Sequence, residues 1–164
     1  MEFIEKINPG GNRSYESLYR GMIKQKGWGE KTAALFCKSI FHLHNGNYSK
    51  EIKIWDDVPS IIARKDIFYL PVDAVIIAIF NKLEPLVKWN FTNINKYLRY
   101  HYNSSDIEIW DDLWFWGFIT QNGSQNRIFE WNENKYWVLK ESDKSQIIID
   151  EIKTKSNEFL SLIN

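Results

Sequence analysis

Two short segments of the sequence place side chains capable of chemistry at the starts of predicted helices. Residues 26–34 read KGWGEKTAA, so two glycines flank Trp28, and Lys31 lies two residues after the second glycine. Glycine lets the backbone turn sharply, and the amides that open a helix attract a phosphate oxygen. An amine beside such a turn can serve as a nucleophile. Residues 70–73 read LPVD and put a carboxylate, Asp73, at a second predicted helix start.

Apolar spacing predicts a mainly helical chain, which we treat as one helical domain over residues 1–164. Apolar residues recur three and four positions apart from Tyr15 to Ile23, as expected for one helix face. The predicted elements are a helix-hairpin-helix over 12–45, helices over 71–118, a small β-hairpin over 127–139 turning at residues 132–134, and a closing helix over 145–163.

Polar side chains predict where several of these helices begin. Asp73 is a natural N-cap for the apolar helix that follows it, and Thr92 can cap the next one. Ser105 and Glu108 match a capping box that would open a helix over 109–118.

Charge is distributed unevenly, although the formal net charge is zero. Residues 11–50 hold seven Lys or Arg against two acidic side chains. This segment also carries the glycine turn, and either a solvated helix face or a phosphate-binding surface would produce such an excess. The eight Trp can likewise fill a core or stack on bases, and composition does not separate these uses.

A single cysteine, Cys37, excludes an intramolecular disulfide and a four-cysteine metal site within one chain. This usage fits a reducing compartment, so we expect a cytoplasmic protein in which Cys37 is an inert core thiol. The first residues lack the pattern of a signal peptide, and we expect no membrane span.

The two segments together resemble the helix-hairpin-helix DNA glycosylase superfamily, most closely the 8-oxoguanine glycosylases with AP-lyase activity, including their archaeal branch. The hairpin G-x-G-x-K-[TV]-A of that family matches residues 27–33, and its P-V-D matches residues 71–73. A weaker echo, L-W-x-x-G, falls at 113–117. The resemblance covers about residues 14–118.

The resemblance implies catalytic roles for Lys31 and Asp73. The Lys31 amine would attack C1′ of an extruded nucleotide in damaged double-stranded DNA, expel the base and form a Schiff base. Asp73 would stabilise the positive charge that develops on the sugar.

The resemblance also assigns DNA contacts to the hairpin, namely to Lys24, Lys26, Gly27, Trp28, Gly29 and Thr32, with screened attraction added by Lys38. It implies no cofactor, although carbonyls of such hairpins often hold a monovalent cation. No set of residues predicts a metal-ion site. Trp114, Asp111 and Asp112 are candidates to line a base pocket, although core packing accounts better for the tryptophan and a solvated position near a helix start accounts better for the two aspartates.

Few residues precede Gly27, whereas the family has a set of helices before its hairpin. The chain could be a trimmed relative or a fragment, or a partner chain or a second copy could supply the helices. Three functions therefore stay open: base excision, DNA binding by a catalytically inactive helix-hairpin-helix module, and protein interaction through exposed Trp.

Overall fold

A computed structural model of the chain describes residues 5, 7, 14–53, 61–124, 127–138 and 144–164. The described part is mainly helical with a small antiparallel strand pair, which confirms the predicted mainly helical class, whereas a glycosylase-like helix-hairpin-helix fold stays a prediction. The predicted helix-hairpin-helix begins at residue 12, and the predicted β-hairpin ends at residue 139. Residues 12, 13 and 139 lie outside the described residues. Where one helical domain was predicted, the chain groups into two compact units.

The first unit comprises Met1–Asp73 and Asn90–Asp111. Its helices are α1 (Tyr15–Ile23), α2 (Glu30–Asn45), a 3-10 turn (Lys50–Ile52), α4 (Phe91–His101) and α5 (Ser104–Ile109). Helix α3, which falls between them in the sequence, belongs to the second unit. Helices α1 and α2 pack against each other, and both lie close to their predicted bounds because glycines interrupt the chain between them.

The core of the first unit contains a cluster of aromatic rings in edge-to-face contact. Tyr15 of α1 meets Phe41 of α2 and Phe68 in T-shaped contacts with ring centroids 5.8 and 5.5 Å apart. Cys37 lies in the same core at 3% exposure, as predicted. Burial, reinforced by the Asp66 carboxylate, raises the pKa of the Cys37 thiol well above its usual value, which disfavours the reactive thiolate.

The start of α1 is capped twice, once locally and once from far along the chain. Ser14 Oγ accepts a hydrogen bond from Ser17 N at 3.0 Å. Asp66, about fifty residues later, accepts from the Tyr15 and Glu16 amides at 2.8 and 3.1 Å. First-turn amides have no acceptor within their own helix, so the carboxylate supplies one and also interacts favourably with the helix dipole.

Helices α4 and α5 begin earlier than the predicted caps. Asn90, not Thr92, caps α4 through a reciprocal capping box with Asn93. Asn103, not Ser105, caps α5, which stops at Ile109 before a new helix begins at Asp112. The two predictions were wrong because an asparagine lies two residues before each predicted cap and forms the better cap in the folded backbone.

The second unit comprises Ala74–Trp89 and Asp112–Asn164. It contains α3 (Ala74–Leu83), α6 (Asp112–Ile119), strands β1 (Gln121–Asn122) and β2 (Ile128–Phe129), a 3-10 helix (Glu133–Val138) and α7 (Gln146–Ile163). Helices α3 and α6 approach closely at Gly117, where a Cβ would collide with Val75 and Ile79. Gln121 Nε2 donates to the Val75 carbonyl at 3.1 Å and closes this junction.

The strand pair lies earlier than predicted. Gln121 pairs with Phe129 and Asn122 with Ile128, whereas the predicted turn at residues 132–134 begins the 3-10 helix instead. Gly123, with φ of 80°, lies in the loop between the strands and supplies the left-handed backbone that this connection uses. In the part of the chain that the structure describes, every helix is too short or too polar to cross a membrane.

Substituting Asp66 tests the long-range cap. Asp66→Ala removes the acceptor for two amides of α1 and for the Ile67 amide. We expect the free energy of unfolding to fall by about 1–3 kcal/mol in urea denaturation. Lys65→Ala, at the exposed neighbouring position, should change it by less than about 0.5 kcal/mol. Equal midpoints for the Asp66→Ala variant and the unaltered chain would contradict this role.

Candidate functional site

The hairpin between α1 and α2 is an open turn. Gly27 has φ of 87°, a left-handed conformation that only glycine adopts without strain. Gly29 directly precedes α2 in an extended conformation, and no side chain caps the helix there. A Cβ built at either glycine would meet nothing within 4 Å. A ligand can therefore approach the backbone of this turn closely.

The amides that follow Gly29 have the orientation of an anion-binding helix start. The Ala33 amide donates to the Gly29 carbonyl at 2.9 Å, so the α-helical hydrogen-bond pattern begins there. The amides of the first turn, ahead of that bond, point along the helix axis without intrahelical acceptors, at the positive end of the helix dipole.

The other predicted hairpin residues divide into exposed and packed ones. Lys24, Lys26 and Thr32 are exposed. Trp28 is half-buried, and its ring meets the Phe36 ring of α2 in a T-shaped contact with centroids 5.5 Å apart. Trp28 thus stabilises the turn against the helix that follows it, whatever else it contacts.

Lys31 and Asp73, the two predicted catalytic residues, lie side by side. Lys31 Nζ is 4.0 Å from Asp73 Oδ2, with 53% of the lysine side chain exposed and 17% of the aspartate. This separation is within ion-pair range and longer than a hydrogen bond. The amine faces solvent, and the carboxylate is partly withdrawn from it.

Asn95 holds the segment that carries Asp73. Its Oδ1 accepts from the Leu70 amide at 2.7 Å, and its Nδ2 donates to the Leu70 carbonyl at 3.0 Å. Asn95 is 1% exposed and Leu70 is fully buried. A side-chain amide therefore pairs with both polar groups of one residue, as a neighbouring strand would, and fixes the chain just before Asp73. Asn95 could not be identified from the sequence, since its pairing with Leu70 has no local signal.

Lys31 is the first of three basic side chains along one face of α2. Lys38 contacts the Asp111 carboxylate, and both side chains are 16% exposed. His42 Nε2 lies 3.0 Å from Glu108 Oε1. Residues 31, 38 and 42 are spaced by seven and four positions, so they share a helix face. That spacing was a signal the sequence analysis did not use.

The Lys38–Asp111 ion pair alters two sequence-based assignments. The Lys38 charge is offset by a carboxylate, which weakens its attraction for a phosphate, and its contribution to DNA binding stays a prediction. Asp111, a candidate for the base pocket, belongs to the first unit and pairs with α2. Asp112 and Trp114 belong to the second unit, where Asp112 is exposed and Trp114 stacks on Phe118 with centroids 5.0 Å apart. A base pocket at these positions stays a prediction.

The described residues offer no obvious set of ligands for a metal ion. Within the described ranges, no three His, Cys, Asp or Glu side chains converge as a metal-ion site. The monovalent cation predicted for the hairpin would bind backbone carbonyls, so it stays a prediction.

Comparison of the chain with protein-family models, with curated proteins and with solved structures finds no match.

Removing the Asn95 amide tests how Asp73 is positioned. Asn95→Ala leaves the buried Leu70 amide and carbonyl without the partners described above. The Leu70 carbonyl keeps its hydrogen bond from the Val72 amide, so the amide is the group left unsatisfied. We expect a loss of about 1–3 kcal/mol in the free energy of unfolding, measured by urea denaturation, which is the cost of one buried unsatisfied group. Lys96→Ala, exposed on the same helix, is the matched control. If the two variants unfold at the same urea concentration, Asn95 does not act as described.

Proposed function

We propose that this chain is a DNA base-excision glycosylase with AP-lyase activity that acts on an oxidised purine such as 8-oxoguanine. The observation that carries the proposal is the 4.0 Å separation of Lys31 Nζ and Asp73 Oδ2 beside the open glycine hairpin. An amine and a carboxylate from distant parts of the chain meet where a backbone could also hold a phosphate. The motifs that bring them there are those of the 8-oxoguanine glycosylases, which the sequence resembles.

Lys31 would supply the nucleophile. Its neutral amine attacks C1′ of the extruded nucleotide, and the glycosidic bond breaks with its electron pair going to the departing base, which takes up a proton. The sugar ring then opens to a Schiff base on Nζ. Loss of the C2′ proton and departure of the 3′ phosphate by β-elimination nick the strand. The half-exposed position of Lys31 leaves its amine accessible to a sugar on bound DNA.

Asp73 would act on charge and on protons. Its carboxylate is mostly shielded from water, so its field on a positively charged sugar is screened less than that of a surface acid. The same carboxylate can accept the proton that the Lys31 ammonium must lose before attack. Its separation from Nζ exceeds hydrogen-bond length, so the proton would pass as the two groups close in or through a water.

The hairpin would hold the DNA backbone. Exposed amides at the start of α2 would receive a phosphate, and Lys24 and Lys26 would add screened attraction. The partner in this proposal is double-stranded DNA containing a damaged base, in the cytoplasm.

A second candidate function uses the hairpin alone. Its glycines are open and its flanking lysines exposed, and these features serve DNA binding without any chemistry at Lys31. In that case the Lys31–Asp73 ion pair is structural and the chain is a catalytically inactive DNA-binding module. Protein interaction, the third function, requires no DNA contact.

Borohydride trapping tests the excision chemistry. Incubation with an 8-oxoguanine duplex and borohydride should give a covalent protein–DNA adduct on a denaturing gel, because the Schiff base is reduced to a stable amine. Lys31→Gln should abolish the adduct. Asp73→Asn should slow its formation about a hundredfold or more, since the charge opposite the sugar is lost.

Lys26→Gln is the matched control for this assay. It removes an amine from the same hairpin, so it should weaken DNA binding and still give the adduct at higher DNA concentration. Salt-dependent binding without an adduct would favour the inactive module, and no binding at low salt would favour protein interaction. An adduct that survives Lys31→Gln would refute Lys31 as the nucleophile.

Substitution of Gly29 tests the phosphate contact separately from catalysis. Gly29→Ala adds a methyl group to open space, and its φ of −100° suits alanine. We expect less than about 1 kcal/mol loss of stability and at least about tenfold weaker binding to undamaged duplex DNA by fluorescence anisotropy, because the methyl group obstructs the phosphate. Ser39→Ala, further along the exposed side of α2, should bind as the unaltered chain does. Unchanged affinity in Gly29→Ala would exclude a close backbone contact.

A further inference from the structure

A cleft of about 430 Å³ lies in the first unit beside the hairpin. It runs between the C-terminal end of α1, the first residue of α2, and α4. Its volume falls within the range of pockets that hold small ligands. The aromatic and charged residues that line it include Tyr19, Lys24, Glu30, Tyr69, Phe91 and Arg99.

Three nearly parallel aromatic rings form one side of this cleft. Tyr19 and Tyr69 stack with centroids 3.9 Å apart and planes at 19°. The Phe91 ring lies 6.4 Å from Tyr19 and 6.3 Å from Tyr69, with its plane within 17° of both. Because Phe91 is almost equidistant from the stacked pair, it lies beside them and not on top of them. The planes of the three rings are therefore nearly parallel to one another.

Arg99 completes the stack with a cation. Its guanidinium carbon lies 4.8 Å from the centroid of the Tyr69 ring, and Nε donates to the Asn95 carbonyl at 3.2 Å. Tyr19 occupies one face of Tyr69, so the guanidinium covers the other. A guanidinium held in this way keeps a planar face for stacking and terminal N–H groups for an anion, and little side-chain entropy remains to be lost on binding.

The charges along the cleft favour an anion. Arg20, Lys24 and Arg99 line it against one acidic side chain, Glu30. Arg20 is paired with Glu16 at 2.6 Å, which leaves Lys24 and Arg99 as the cations that the described lining offers to a ligand. No described residue forms a hydrogen bond with the Tyr19 hydroxyl. Burial raises the pKa of that hydroxyl, so it stays a neutral donor at ordinary pH.

We propose that this cleft binds one unpaired nucleotide, with its base stacked on the Arg99 guanidinium that ends the Arg99–Tyr69–Tyr19 column and its phosphate at Lys24 and Arg99. A planar base can stack on the guanidinium, parallel to the aromatic rings. A phosphate can form ion pairs with the two cations. An acidic peptide would use the cations and leave the stacking surface unfilled. The site is additional to Lys31 and Asp73, and it requires no excision chemistry.

Titration calorimetry of the full chain with dAMP tests the proposal. We expect saturable binding, and deoxyribose 5-phosphate, which lacks a base, should bind at least about tenfold more weakly. Arg99→Lys keeps the charge and removes the planar guanidinium, so dAMP affinity should fall about tenfold. Arg64→Lys, the same change at an exposed position outside the cleft, should leave it unchanged. Lys24→Glu, which changes only an exposed side chain, should also weaken binding.

The source of the nucleotide is decided by comparing dAMP with the single-stranded oligonucleotide dA4. Tighter binding of dA4 assigns the cleft to a DNA strand, and equal binding assigns it to a free nucleotide. No saturable binding of either probe would overturn the proposal, as would equal affinities for dAMP and deoxyribose 5-phosphate. Lys31→Gln should retain dAMP binding even though it loses the borohydride adduct, so failure of the excision chemistry and failure of this cleft are distinguishable.

Discussion

The paired hydrogen bonds between the Asn95 side chain and the Leu70 backbone are the constraint on which the candidate site depends. The segment that ends in Asp73 is buried and belongs to no sheet, so its backbone polar groups need partners from elsewhere. Asn95 pairs with both groups of Leu70, Pro71 brings no amide that needs an acceptor, and the Val72 amide turns back to the Leu70 carbonyl. With these groups satisfied, the chain can deliver a carboxylate to α2 without regular secondary structure.

The two lysine–aspartate ion pairs on α2 differ in exposure, and this difference suits the proposed function. The Lys38–Asp111 pair is shielded on both sides, so breaking it would leave an uncompensated charge in a poorly solvated place. The Lys31–Asp73 pair is long, and its amine is half-exposed. Exposed pairs contribute about 0–1 kcal/mol. A substrate of the proposed reaction could therefore displace the Lys31–Asp73 pair at little cost in free energy, while the Lys38–Asp111 pair keeps α2 in place.

The hairpin connects the two proposed sites because neighbouring helix residues point in different directions. Successive side chains on a helix are about 100° apart, so Glu30 can line the nucleotide cleft while Lys31 reaches Asp73. The turn glycines lie directly before both residues and have space around them. One short turn thus places a phosphate-binding backbone, an amine and the edge of an aromatic cleft within a few residues.

The sequence by itself determined what depends on local spacing: the mainly helical class, the bounds of α1 to α3 and the glycine turn, because helix periodicity and glycine conformation act over a few residues. Local signals misled where two polar residues competed for one cap, at Asn90 and Thr92, and where a short alternating stretch predicted the wrong strand pair. Motif resemblance suggested that Lys31 and Asp73 belong together, and only the tertiary structure gave their distance. Tertiary structure alone decided that Asn95 holds Leu70, that Asp66 caps α1 and that Asp111 pairs with Lys38. These contacts join residues far apart in the chain, and packing, which no local pattern encodes, brings such residues together.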